Sequence, residues 1–298
     1  MTAPIQDYSK VSLLLPMSGA NNGTTFTDYS PTPKTITRYG DTKTVTAQSK
    51  YYGSSAYFDG NGDYLSVGHV SDLSFGTSDF TIAFWLKWDF STQPGDFSDF
   101  LAKGNGGGTI GAWGLFGRKS NGTATFRSNG GTTDDVSFPS ADDQWHHYCV
   151  TRASGVLFSF FSGVLIDQKS SSVNYSETSP VTVARHATSV SDFSGYLQDV
   201  LLIKGLAAWT ENFTPPTRLI GSISTDAANP ILDDTGTPAI RSIVAFPRTY
   251  PSKLVTTTSA SDGSFALSGL PATDYSVVYL DDNAGTLHND IVHRVIPA

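Results

Sequence analysis

Apolar and polar residues alternate in short runs along this chain, and Gly, Pro, Asn, Asp and Ser separate the runs. The clearest run is Phe80–Trp88, where every second residue is large and apolar. Because successive side chains of a strand point to opposite faces, this period predicts a β-strand with one buried face. Short strands at regular spacing, with turn residues between them, predict an all-β protein built from sandwiches.

Residues Trp145–Asp167 predict a meander of three strands joined by two tight turns. The strands are Trp145–Arg152, Val156–Phe161 and Val164–Asp167. Gly155 and Gly163 lie in the turns, where glycine adopts the positive φ that short hairpins require. Few helices are expected, because Glu177 and Glu211 are the only glutamates and every other acid is Asp, which favours turns.

The first strand of the meander reads Trp145-His-His-Tyr-Cys-Val-Thr-Arg152, and a Gly turn and a strand ending in Gly-Val follow it. This wording resembles the central meander of laminin-G-like (concanavalin A-like) jelly-roll domains. Further blocks resemble the same family in the same order, namely Leu13–Asp28, Ser54–Val67, Asp79–Trp88 and Phe193–Pro216. The resemblance implies a concanavalin A-like jelly-roll sandwich over residues 1–218. Ser18 and Gln198 replace acids that relatives often carry, which weakens any metal site that needs those carboxylates.

Residues 219–298 differ in texture from the preceding part of the chain. They contain Asp262-Gly-Ser-Phe, then Leu-Pro, then Tyr275-Ser-Val, with Asp274 where a Gly commonly precedes the Tyr. This spacing resembles the small transthyretin-like or carboxypeptidase-regulatory-like β sandwich. Pro215 and Pro216 stop any strand and mark a boundary. We therefore expect two domains, a laminin-G-like jelly roll at 1–218 and a transthyretin-like β sandwich at 219–298.

Composition argues against several classes of protein. The formal net charge of −8 and the lack of a basic run argue against nucleic-acid binding. Leu13–Leu15 is too short for a membrane span or for the apolar core of a signal peptide, so neither membrane insertion nor export is expected. Cys149 is the only cysteine, so no internal disulfide forms, and we expect a small buried side chain at this position.

Calcium is the one metal for which the sequence offers ligands. Asp59, Asn61 and Asp63 place oxygen-bearing side chains at alternate positions, as calcium loops do. The later bidentate Glu of such loops is missing, and Asp-Gly-Asn-Gly-Asp is also an ordinary hairpin turn. Asp199 is expected on the strand face of Leu197, where its carboxylate needs calcium or backbone N–H groups as a partner. Apart from this structural calcium, no cofactor is expected.

Sugar binding would need aromatic rings at the surface. Trp113 and Trp209 are the candidates for such exposed rings, whereas Trp88 and Trp145 are expected in the core. His146 and His147 are neighbours on one strand and point to opposite faces, so they are expected to pack rather than to hold one metal ion.

Glycoside hydrolysis needs two carboxyl groups about 5–10 Å apart across the scissile bond. Glu177 and Glu211 lie in separate loop-like segments, and no strand carries two acids at alternate positions. A pair of carboxyl groups facing one another on the concave sheet would be needed to restore this hypothesis. The sequence therefore favours a protein that is not an enzyme.

The jelly-roll blocks include Leu-Leu near the N-terminus and Gly53-Ser-Ser-Ala-Tyr-Phe-Asp-Gly60. This version of the motifs resembles the one found in tailed-bacteriophage structural proteins. The resemblance implies a non-enzymatic virion structural or adhesion protein at the tail tip, on a fibre or on the capsid exterior, assembled in the host cytoplasm. Its expected partners are other virion proteins, further copies of itself and a host surface glycan. The alternative is a bacterial surface carbohydrate-binding module.

Overall fold

The structure is a computed structural model of the 298-residue chain. It describes residues 7–88, 90–105, 109–128, 135–139, 142–186, 191–217, 219–225, 242–247, 255–262, 264–271, 275–280 and 290–295. The chain divides into two compact units, Lys10–Thr217 and Met1–Ser9 together with Arg218–Ala298. In the described residues, regular structure is β-strand apart from short 3-10 turns at Tyr8–Lys10, Ser71–Leu73 and Phe90–Thr92. The all-β prediction is confirmed.

The larger unit consists of two antiparallel sheets. Its strands are β1 Val11–Leu15, β2 Ile36–Tyr39, β3 Lys43–Val45, β4 Ser55–Asp59, β5 Tyr64–Val67, β6 Phe80–Lys87, β7 Phe97–Lys103, β8 Trp113–Arg118, β9 Ala124–Ser128, β10 Val136–Phe138, β11 Trp145–Ala153, β12 Val156–Phe161, β13 Val164–Ser170, β14 Val181–Val183 and β15 Ser194–Lys204. Sheet 1 has the order β13-β12-β11-β6-β15-β4-β3, and β1 also pairs with β15. Sheet 2 has the order β10-β9-β8-β7-β14-β5-β2.

The smaller unit is also built of strands. They are β16 Ile220–Thr225, β17 Ser242–Pro247, β18 Val255–Thr258, β19 Phe265–Pro271, β20 Tyr275–Leu280 and β21 Asp290–Val295. Strand β16 pairs with β19, and a second sheet has the order β18-β17-β20-β21. The assignment of residues 219–298 to a transthyretin-like sandwich stays a prediction.

The core of the larger unit lies between its two sheets, and the alternation of β6 supplies much of it. The residues of β6 and its end that face this core are Phe80, Ile82, Phe84, Leu86 and Trp88. Tyr148 and Val150 of β11 join them from the neighbouring strand. The predicted meander is present, since β11 pairs with β12 and β12 with β13. Trp145, expected in the core, is only half-buried.

Trp113 also belongs to this core, so the expectation that its ring is exposed is wrong. The side chain is fully buried and packs against Phe75 and Phe126, with ring centroids 5.8 and 6.4 Å away. Strand β8 is buried on both faces over most of its length, so its apolar residues do not reveal which face meets solvent. Trp113 and Leu115 turn inward, and Phe116 turns to the other face.

A β-bulge at Asp199 interrupts the alternation of β15. Asp199 has a φ of 53°, and the pairing of β15 with β6 shifts register between Gln198 and Leu201. Before the bulge Leu197 faces the core, and after it Val200 and Leu202 do. The prediction that Asp199 shares one face with Leu197, Leu201 and Ile203 is therefore wrong, because an extra residue in one strand reverses the phase of those that follow.

The outer face of sheet 1 is covered by residues 206–216. The hydroxyl of Thr151 donates to the Trp209 carbonyl at 2.7 Å, and the indole N–H of Trp85 donates to the Pro216 carbonyl at 3.3 Å. The ring of Phe213 stacks on that of Trp209, with centroids 4.1 Å apart. Gly163 permits the close approach of this segment, since a Cβ there would lie 2.0 Å from the Phe213 carbonyl oxygen.

Candidate functional site

Three carboxylates meet where the turn after β4 contacts the turn after β2. Asp41, Asp59 and Asp63 each offer an oxygen within 4.8 Å of the others. Asp63 is fully buried, and its two oxygens accept hydrogen bonds from the backbone N–H groups of Asp41 at 2.6 Å and Asp59 at 3.1 Å. Gly40 allows this approach, because its φ is +65° and a Cβ would lie 2.3 Å from Asp63 Oδ1. We call these three residues the acidic cluster.

The pKa values of two carboxyl groups in the acidic cluster are shifted in opposite directions. Burial raises the pKa of Asp63, and the negative charges of Asp59 and Asp41 add to the rise. The pKa of Asp41 is lowered by its hydrogen bond to Lys43, whose ammonium lies 3.3 Å from Asp41 Oδ2. Oxygen ligands of this kind suit calcium. The exposed side chains of Asp41 and Asp59 are the ones with room for an ion, since Asp63 already serves two N–H donors.

The structure brings together only part of the predicted metal set. Asp59 and Asp63 belong to the acidic cluster, whereas Asn61 is exposed and donates its backbone N–H to Asp59 Oδ1 at 2.7 Å. Asp199 lies outside the cluster and accepts a hydrogen bond from the Tyr52 hydroxyl at 2.7 Å. Asp41 was missed, although the dipeptide Gly40-Asp41 is a turn signature of the same kind as the one at residues 59–63.

The second predicted sugar-binding ring, Trp209, is half-buried in the covering segment 206–216. One of its faces stacks on Phe213, with an interplanar angle of 8°. The edge-on ring of His147 lies 6.1 Å away. Of the two tryptophans proposed for sugar stacking, only Trp209 therefore keeps part of its surface accessible.

The paired histidines lie on opposite faces of β11, as expected. His147 is buried under the covering segment, and burial lowers its pKa to about 3. His146 lies at the other face, where Nε2 is 2.7 Å from Asp142 Oδ1 and Nδ1 is 3.0 Å from Ser162 Oγ. No single ion can lie between two rings that face in opposite directions.

The described carboxyl groups include one pair near the outer face of sheet 2. Asp99 of β7 is buried, and burial raises its pKa to about 7. A hydrogen bond from Ser191 lowers the pKa and so offsets part of this rise. The charge of Asp192 adds to the rise. Asp192 is buried as well, accepts the Gly62 N–H at 2.9 Å and lies 3.2 Å from Arg185. Because both side chains are shielded from solvent, neither is placed to reach a glycosidic bond.

The carboxylate of Glu177 is hydrogen-bonded to the two residues that follow it. Its Oε1 accepts hydrogen bonds from the N–H groups of Thr178 at 2.8 Å and Ser179 at 3.0 Å, and from the Ser179 hydroxyl. Hydrogen bonds from Ser179 are the main cause of its lowered pKa. A general acid for glycoside hydrolysis needs a raised pKa, so this arrangement favours a structural role.

A surface pocket of about 520 Å³ lies at one end of sheet 2. Its walls are residues 32–35, which precede β2, and residues 68–72, which follow β5. Ile36 pairs with Val67, so the two segments leave the sheet side by side and then diverge. We call this space the β2–β5 pocket. It lies entirely within the larger unit.

In the part of the chain that the structure describes, no helix is long and apolar enough to cross a membrane.

Comparison with known proteins supports the fold. Two antiparallel sheets packed face to face define a β-sandwich of the concanavalin A-like type. The family model of Laminin_G_3, described as the concanavalin A-like lectin/glucanases superfamily, matches residues 59–209. The chain therefore belongs to this family. A search of curated protein sequences found no match.

Solved structures show the same architecture at low sequence identity. The binding domain of botulinum neurotoxin serotype D is 9% identical, with a TM-score of 0.51 over 93% of this chain and 73% of that one. The binding domain of Paraclostridial mosquitocidal protein 1 is 13% identical, with a TM-score of 0.51 over 95% and 76%. The binding domain of botulinum neurotoxin DC in complex with SialylT is 12% identical, with a TM-score of 0.50 over 96% and 78%. At these identities the likeness concerns the fold.

Proposed function

We propose that this protein is a non-enzymatic binding protein of a tailed-bacteriophage virion, located at the tail tip, on a fibre or on the capsid exterior. The observation that carries the binding role is the state of Glu177, whose Oε1 accepts three hydrogen bonds from Thr178 and Ser179 and whose pKa is lowered. The family includes lectins as well as glucanases, and the lowered pKa of Glu177 is the opposite of what the general acid of a glucanase needs.

The similar solved structures support a role in recognition. Their titles describe binding domains of toxins, and one of them contains SialylT. By analogy of fold, a host surface glycan or a neighbouring protein is the partner that we propose for this chain. The partners also include other virion proteins and further copies of the chain itself.

The location in a virion is supported by the wording of the jelly-roll motifs, which is similar to that of phage structural proteins. We propose the smaller unit as the attachment module, because β21 (Asp290–Val295) is the last strand in the order of its sheet, where a strand of a neighbouring protein can pair with it. The competing hypothesis is a bacterial surface carbohydrate-binding module.

Purified virions test the proposed location. An antibody raised against the chain is expected to label intact particles in immunogold electron microscopy, at one recurring place on each particle. Particles prepared from a phage whose copy of this gene is deleted serve as the control. Absence of the chain from purified virions would overturn the virion role and favour the bacterial surface module.

We also propose that the acidic cluster binds a structural calcium ion. Calcium is expected to raise the thermal unfolding midpoint of the wild type, because an ion that binds only the folded state stabilises it by about 3 kcal/mol at a hundred times its dissociation constant. The double variant Asp41→Asn/Asp59→Asn is expected to lose this shift, while Asp63 keeps its two N–H partners.

The control for this measurement is Asp96→Asn, which changes an exposed aspartate elsewhere on the larger unit. It is expected to keep the calcium-dependent rise in the unfolding midpoint. An equal rise in the double variant, or no rise in the wild type, would contradict the calcium proposal.

A further inference from the structure

The β2–β5 pocket is shaped by a buried carboxylate on one side. Asp28 accepts hydrogen bonds from the backbone N–H groups of Leu14 at 3.0 Å, Ser30 at 2.9 Å and Lys34 at 2.8 Å. It also accepts the Ser30 hydroxyl at 2.8 Å. The bond to Leu14 ties residues 28–34 to β1, and the bonds to Ser30 and Lys34 hold the wall that carries Pro33 and Lys34 in this conformation. A preformed wall lowers the cost of ordering the site when a ligand binds.

The opposite wall carries a carboxylate with unused acceptor capacity. Asp72 Oδ2 lies 2.7 Å from the Lys34 ammonium, while Oδ1 is inaccessible to solvent and has no hydrogen-bond donor among the described residues. The Asp72 side chain is nevertheless 39% exposed, so its exposed part is the edge that ends in Oδ2. An ionised carboxylate has about four acceptor positions. Asp72 therefore presents an acceptor to the pocket.

His69 supplies a donor in the same wall. Its Nδ1 lies 3.3 Å from the ammonium of Lys103, which also donates to the Ser179 carbonyl at 2.7 Å. Burial lowers the pKa of Lys103 to about 8, so the amine remains largely protonated at neutral pH. An ammonium group only donates, so Nδ1 accepts and the ring proton lies on Nε2. His69 is exposed and lines the pocket, and Nε2–H is the ring donor that remains for a ligand because Lys103 occupies Nδ1.

The rest of the lining is apolar or uncharged. Val70 is 40% exposed, and Pro33 is exposed on the facing wall. The charges of Lys34 and Asp72 cancel each other across the ion pair. The net charge of −8 on the chain disfavours an anionic ligand. The volume of about 520 Å³ falls within the range of about 300–1,000 Å³ that is usual for small-molecule sites.

We propose that the β2–β5 pocket binds a neutral saccharide, with His69 Nε2–H and the Asp72 carboxylate contacting neighbouring hydroxyl groups of one sugar ring. Each sugar hydroxyl can both donate and accept, so adjacent hydroxyls match one donor beside one acceptor. The C–H face of the ring packs against Val70 and Pro33. This inference rests on the proposed binding role and names a site for it, apart from both Trp209 and the acidic cluster.

Calorimetric titration of the full chain with the methyl pyranosides of glucose, galactose, mannose and N-acetylglucosamine tests the site. At least one glycoside is expected to bind the wild type. Asp72→Asn is expected to weaken that binding about tenfold or more, because it removes a charge-assisted hydrogen bond. His69→Ala is expected to weaken it as well, and His69→Gln to restore part of the affinity, since the Gln amide also donates.

The matched control is Asp143→Asn, which breaks a second Lys–Asp pair with the same 2.7 Å separation, that of Lys87 and Asp143. It is expected to leave glycoside binding unchanged. If Asp72→Asn lowers the unfolding midpoint, the exposed His69 variants still decide the result. Binding that survives both Asp72→Asn and His69→Ala would overturn the pocket and keep the binding role. If the wild type bound none of the four glycosides, the pocket proposal would be overturned, whereas the proposed binding role would still be decided by the labelling of virions.

Discussion

Asp99→Asn is expected to raise the free energy of unfolding above pH 7 and to abolish a fall in stability between about pH 4 and pH 7. The folded-state pKa of Asp99 is raised to about 7 from the ordinary value of 3.8, mainly by burial. Between these two values the folded chain holds a proton that the unfolded chain has released. Stability therefore falls by about 1.4 kcal/mol for each pH unit in this interval.

Above pH 7 the accumulated penalty is on the order of 4 kcal/mol, because the carboxylate is then charged in a buried position. Asparagine has the same shape, keeps a hydrogen-bonding group for Ser191 and carries no charge. Urea unfolding of wild type and variant, below about pH 4 and above about pH 7, measures the difference. The nearby Asp96→Asn, which changes an exposed carboxyl, is the control. Parallel pH profiles for wild type and Asp99→Asn would show that Asp99 ionises normally.

Trp113→Ala is expected to destabilise the larger unit by about 3–5 kcal/mol, the usual cost of deleting a buried aromatic side chain. The ring is fully buried and packs in a row with Phe75 and Phe126, so its loss leaves a cavity between the two sheets. Trp113→Phe keeps an aromatic ring in that row and is expected to cost much less. Denaturant unfolding, followed by far-ultraviolet circular dichroism, measures both variants.

Trp209→Ala is compared with Trp113→Ala, because it removes a half-buried ring rather than a fully buried one. Trp209 is half-buried, and its main contact is a stack on Phe213 in the covering segment. A smaller loss of stability is expected at this position, because part of the ring is already in water. If the two variants lost equal stability, the contrast between a core ring and a surface ring would be wrong.

Alternation along single strands allowed much of the fold to be predicted. The even-numbered residues from Phe80 to Trp88 and the glycine turns of the meander are local features, so they can be read from the sequence one strand at a time. Trp113 could not be placed in this way, because β8 is apolar on both faces. The bulge at Asp199 was hidden as well, since no residue type in this strand requires a φ of 53°.

The candidate sites depend on contacts between distant segments, which a single sequence does not encode in its spacing. Asp59 and Asp63 were found because they share one turn, whereas Asp41 joins them only through the pairing of β3 with β4 and the turn at Gly40. The same holds for the β2–β5 pocket. The ammonium of Lys103, which lies 34 residues further along the chain, contacts His69 Nδ1 and so leaves Nε2 as the ring donor.

The covering segment 206–216 also seals the one thiol of the chain. Cys149 is fully buried on β11 between His147 and Thr151, both of which contact this segment, and burial raises its pKa. A thiol reagent can modify Cys149 only after the segment has peeled away or the sandwich has opened. The rate of labelling at this single position therefore reports how often either of these openings exposes Cys149 under native conditions. Local opening of the native protein can thus be measured by thiol labelling of Cys149, without an engineered cysteine.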